Sequence, residues 1–186
     1  MTRITRRGVA FGALSSVLLA AACGNGVGSN GAQIIDARVD STLNFLESTS
    51  PATRDLREKS VGMLVMPLIT EAGLGIGGSY GRGALRVNDV TVDYYSATQA
   101  SFGLQIGAQQ YAHALYFMTE EALADFRSSP GWAAGADIEY TVSNRGENIS
   151  AETTTALSPV IAVVFGQAGL LAGASVEGTK YNRIIP

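Results

Sequence analysis

The chain has one cysteine, one histidine and one tryptophan in 186 residues, and fewer basic side chains than acidic ones, 13 against 16. The lone Cys23 excludes an intramolecular disulfide, so the fold must hold by packing. One histidine and one cysteine leave only carboxylates for a metal. None of these is clustered like a calcium loop, so neither a metal nor another cofactor is expected. The shortage of Lys and Arg argues against nucleic acid, whose phosphates call for a surplus of both. No apolar run reaches the ~20 residues that a membrane-crossing helix needs.

What is present begins with a leader. Thr5-Arg6-Arg7 precedes a short apolar run over residues 9–19, and Ala20-Ala21-Ala22-Cys23 follows. A basic start, a short apolar stretch and small residues before a cleavage point read as a secretory signal over residues 1–22. Small residues directly before the Cys resemble the lipobox of bacterial lipoproteins, although Leu19 sits one place further from the Cys than the usual leucine. Processing there would make Cys23 the lipidated first residue. Loss of Arg3, Arg6 and Arg7 would take the net charge from −3 to −6. The Arg6-Arg7 pair also admits twin-arginine export. Residues 23–32, rich in Gly, Asn and Ser, read as lipidated Cys and flexible tether. Residues 33–186 form the single domain.

Within that domain Ile35, Val39, Leu43 and Leu46 recur at helical spacing. Ser50-Pro51 reads as an N-cap with proline at the first helical position, opening a second helix to about Lys59. Residues 61–69 form an apolar run read as a buried strand interrupted or edged at Pro67. From Val92 the alternation puts Val92, Tyr94, Ala100, Phe102, Leu104 and Ile106 on one face, with Asp93, Gln99, Ser101, Gln105 and Gln109 on the other. Residues 113–118 read as a strand, and Thr119 as the cap of a short helix carrying Glu120 and Glu121 in its first turn. Segments 137–142, 160–165 and 170–176 read as further strands. Strands and helices do not alternate regularly, so the fold class is α+β: a mostly antiparallel, glycine-rich curved sheet with two N-terminal helices and one short helix near 120–128.

Two motifs suggest chemistry. Gly73-Leu74-Gly75-Ile76-Gly77-Gly78 matches the dinucleotide fingerprint formally, but no helical pattern follows, so the glycines read as strand bends or close approaches. Gly77-Gly78-Ser79-Tyr80-Gly81 matches a nucleophile elbow, with Asp89 or Asp93 and His113 following in hydrolase order. No helix follows Ser79 and His113 lies within a strand, so the expectation is a non-enzyme, with a Ser79 hydrolase as the outlying alternative.

The segments GLGIGGSYGRGAL after Glu71-Ala72, YYSATQASFGLQIGAQ, FMTEEALADF, GWAAGADIE, SPVIAVVF and GLLAGASVEGTKY resemble, in order, the SYLF-domain family over residues 61–181. The resemblance implies a lipid-binding domain without catalytic activity. Eukaryotic relatives bind phosphoinositides, couple to Src-homology-3 domains and in some cases bind actin filaments. Bacterial relatives are exported, often as lipoproteins, with phospholipid binding the usual proposal. Many relatives carry Lys where this chain has Gly62 and Glu71, whereas Arg82 matches a common basic position. The headgroup candidates are therefore Arg82 and Arg86, four apart on one strand, with Lys59 nearby. The expected partner is a phospholipid membrane. An envelope protein partner, bound without lipid specificity, is the alternative, and actin is not expected in the periplasm. Gly24 lacks the aspartate that retains lipoproteins in the inner membrane of enteric bacteria, which favours the outer membrane facing the periplasm.

Overall fold

The structure, a computed structural model, describes residues 29–135, 139–140, 158–166, 169–170 and 176–186. The order is α1 (Gly31–Thr49), α2 (Ala52–Lys59), β1 (Gly62–Val87), β2 (Val90–Phe117), α3 (Glu120–Ser128), β3 (Trp132–Ala133), β4 (Glu139–Tyr140), β5 (Val160–Gly166), β6 (Gly169–Leu170) and β7 (Lys180–Ile184). This is the expected α+β class. Of the strands expected at 137–142 and 170–176, β4 and the end of β6 are described, Val176 is described outside any strand, and the rest lies outside the described residues. Helix α1 begins at Gly31, inside the stretch read as tether.

The helices follow from local chemistry. Ile35, Val39, Leu43 and Leu46 make one buried stripe along α1. In α2 the cap is Pro51 rather than Ser50, and Ser50 contributes its carbonyl, which accepts from the N–H and Oγ1 of Thr53. Helix α3 starts as expected, with Thr119 Oγ1 accepting from the Ala122 N–H at 3.2 Å. Its two glutamates sit in the first turn, where the exposed N–H groups favour negative charge.

Strands β1 and β2 form one long antiparallel ribbon, paired from Gly62–Phe117 to Val87–Val90. The turn between them is two residues, Asn88 and Asp89, both at positive φ (49° and 63°). That is the geometry whose twist matches the flanking strands, and Asn and Asp tolerate it. The strand does not stop at Pro67. Met66 pairs His113 and Ile69 pairs Tyr111, so β1 carries an extra residue there. A proline, lacking an N–H, is at home in such a bulge.

β1 takes one edge of β2 along its length. β7 pairs residues 94–98 on the other edge, and β5 pairs residues 112–117 further along. Pairing is antiparallel except between β4 and β5. The seven strands described form one sheet curled into a half-barrel. Within the curl, the backbone around Gly81 and Gly83 passes directly over Leu68 and Val65, an approach that leaves no room for a side chain.

Both faces of this sheet are covered. Outside, α1 and α2 pack on Met63, Val65, Ala84, Ala114 and Tyr116. Inside, α3 brings Leu123 and Phe126 against Leu64, Met66, Leu85, Tyr95 and Phe117. Two-sided cover explains why 63–66, 112–117 and 160–165 are uninterrupted buried runs. It also corrects the reading of β2. Tyr95 and Ala97 are buried in the inner layer, whereas Val92 is an exposed bulge residue between Asp93 and Thr91, and Tyr94 packs outside on α1. Asp93, read on the face opposite Val92 and Tyr94, pairs with Arg127 of α3 and Arg183 of β7.

Candidate functional site

Alternation along β1 puts Arg82, Ala84 and Arg86 on the outer face, the face that α1 covers. Arg86 is committed there: its guanidinium lies 2.8 Å from Asp40 and 3.9 Å from Asp36, with 13% of the side chain exposed. Asp36 also accepts from Thr91 Oγ1 and the Tyr94 hydroxyl, each at 2.8 Å. Burial, aided by that bond to Asp36, pushes the Tyr94 hydroxyl up to about 12. One Arg86 atom, Nε, is buried without a hydrogen-bond partner among the described residues.

Arg86 opens on a hollow of about 390 Å³ beside α2 and the hairpin turn, with Glu47, Arg54, Arg57, Glu58 and Asp89 around it. Arg57 binds Glu47 and Asp89, each at 2.6 Å, and its pKa is raised by these bonds, Asp89 first. The hollow thus balances its own charges. Lys59 is exposed at the end of α2 and does not line it; Arg82, half-buried, lies two strand positions before Ala84. Among the described residues no group of three or more His, Cys, Asp or Glu side chains is placed to hold a metal.

A second feature went unread in the sequence. Midway along the ribbon a Cβ on Gly73 would lie 2.6 Å from Gly77 Cα, so β1 bends sharply there. Beyond the bend Ile76 is 73% and Tyr80 54% exposed, both on the strand face that carries Arg82. The signal was available: Ile76 and Tyr80 are large side chains in a run, residues 73–81, that has glycine at five of its nine positions.

The two residues of the hydrolase alternative, Ser79 and His113, are both buried. Ser79 is buried beside Tyr111. His113 is buried too, with Nε2 2.8 Å from the Tyr181 hydroxyl and Nδ1 lacking a partner among the described residues. Burial holds His113 down at about 3. An unfolded histidine titrates near 6.5, so stability is complete above that pH and falls as pH drops from there towards 3. Urea denaturation at pH 7 and pH 5 is expected to reveal this loss, at up to about 1.4 kcal/mol per unit. His113→Leu should remove that part of the slope; an unchanged slope would refute the assignment.

Residues 98–183 match the protein family described as Ysc84, Las17-binding protein actin regulator. This match supports a SYLF-family segment over those residues. No curated protein matches it. The matched SYLF segment begins within β2 and ends in β7. Strand β1, with Ile76, Tyr80 and Arg82, precedes the segment but is hydrogen-bonded to it along β2.

No helix among the described residues is long and apolar enough to cross a membrane.

Proposed function

We propose that this is an exported protein, lipid-anchored at Cys23 on the outer membrane and facing the periplasm, whose SYLF domain binds phospholipid surfaces without catalysing a reaction. One observation carries the reading: Ile76 and Tyr80 stand in solvent on the strand face that bears Arg82. An isoleucine entering the acyl boundary gains about 1.5–3 kcal/mol. A tyrosine suits the headgroup level, where one end is apolar and the other wet. Arginine's forked donors suit phosphate. Arg82 is the candidate two strand positions from Tyr80 on that face and so is the headgroup residue favoured here, and selectivity for highly charged lipids is not expected. An anchor at Cys23 would raise the local concentration, so modest contact suffices. Actin, named in the family's description, is not a partner expected in this compartment.

The test is vesicle co-sedimentation of variants. Ile76→Asp is expected to weaken binding at least about tenfold, the equivalent of one lost apolar insertion. Arg82→Ala should weaken binding to anionic vesicles and flatten its salt dependence. Equal binding by both variants would reject this face as the membrane contact. Binding of an envelope protein in place of vesicles would support the scaffold reading.

A further inference from the structure

On the side of α1 away from the charged hollow lies a pocket of about 350 Å³. It exists because of the bulge. Pro67 and Leu68 leave the regular ladder between the Met66–His113 and Ile69–Tyr111 pairs. Thr42 and Phe45 of α1 face the gap, and Tyr111 and Phe165 complete the wall. Among the described residues no charged side chain lines it, in contrast to the hollow beside Arg86. Phe45 and Leu68 present apolar surface at its mouth, with 38% and 37% exposure.

The size lies at the lower end of small-molecule sites, which are mostly apolar with a few polar groups. A protein partner would need roughly 1,000 Å² or more of complementary surface, which one such pocket does not supply. Among the described residues a charged ligand would find no counter-ion, and the polar side chains of α1 and β2 at the pocket, Ser41, Thr42 and Gln110, are neutral. An uncharged, slender chain fits all of these constraints.

We propose that this pocket takes the single alkyl chain of an amphiphile, either a free fatty acid or a monoacyl phospholipid, with the charged head left outside in solvent. The lipid reading above supplies the source of such a ligand, but the pocket is a separate site from the Ile76–Tyr80 face.

The experiment is displacement of a fluorescent fatty acid from the full chain bearing Cys23→Ser, by alkanoates and by lysophosphatidylglycerols of matched chain length, below their micelle concentrations. Saturable displacement is expected, strengthening about fourfold per added methylene, the equivalent of about 0.8 kcal/mol each. Alkanoates matching lysolipids would identify the free acid as sufficient; lysolipids binding more tightly would identify the phospholipid. Leu68→Asp and Ser41→Trp, both at exposed positions, should each weaken displacement at least about tenfold while circular dichroism is unchanged. Ile76→Asp should leave displacement intact while weakening vesicle binding. Displacement independent of chain length, or unaffected by Leu68→Asp, would overturn the pocket. Equal loss with Ile76→Asp would also overturn it, as surface adsorption. Displacement that persists without vesicle binding would uphold the pocket and reject the membrane reading.

Discussion

Phe126→Ala is expected to destabilise the protein by about 3–5 kcal/mol, the largest effect of any single truncation considered. Phe126 is fully buried and is the one ring that joins α3 to the inner face of the sheet. Its centroid lies 4.7 Å from Tyr95, 4.9 Å from Phe117, 5.3 Å from Trp132 and 6.1 Å from Tyr181. Those rings come from β2, β3 and β7, so the cavity left by alanine would be walled by three strands that the sheet holds apart. They cannot close on it without breaking ladder hydrogen bonds, and the loss should fall at the upper end of the range. Domains of this size have roughly 5–15 kcal/mol in all, so much of the total would go. Urea denaturation should show an earlier midpoint with little change in slope. A loss below about 1 kcal/mol would mean that α3 is not anchored through this ring.

Gly83→Ala is the second, expected to cost about 3 kcal/mol through overpacking. A Cβ at Gly83 would fall on the Val65 carbonyl oxygen and lie 2.5 Å from Met66 Sδ. The obstacle is backbone within the β1–β2 ladder, not the free end of a flexible side chain. Relief would require one half of β1 to lift from the other, opening the curl and separating Leu85 from Leu64 in the inner layer. Gly135 is the control: a Cβ there meets nothing within 4 Å, and Gly135→Ala should change stability by no more than about 0.5 kcal/mol. Equal effects at the two positions would refute the close approach.

Local features were legible from the sequence, and features set by distant cover were not. The α1 stripe from Ile35 to Leu46 and the Thr119 cap depend on a few neighbouring residues, and both stand as read. The face of β2 did not, because Tyr95 and Ala97 are buried by α3, which enters the chain more than twenty residues later. Arg86 looked like a cation available to a headgroup. Its partners Asp36 and Asp40 lie on a helix some fifty residues earlier, and nothing in strand periodicity announces them. Ile76 could be read as one more apolar residue of a buried strand. Its exposure follows from the bend that Gly73 and Gly77 permit, a property of the backbone path rather than of hydrophobic spacing. The pocket beside Phe45 was hidden for a similar reason: Pro67 marked an interruption, but the structure continues the strand and turns the extra residue into an opening.

The central claim is that the SYLF domain itself contacts phospholipid. Its most direct test is co-sedimentation of the Cys23→Ser full chain with anionic and with neutral vesicles, at low and high salt. The account predicts binding to anionic vesicles that weakens as salt screens the headgroup charge, with weaker binding to neutral ones. Absence of binding to both would contradict it, leaving an acyl anchor as the sole membrane contact and the exposed β1 face as a surface for a protein.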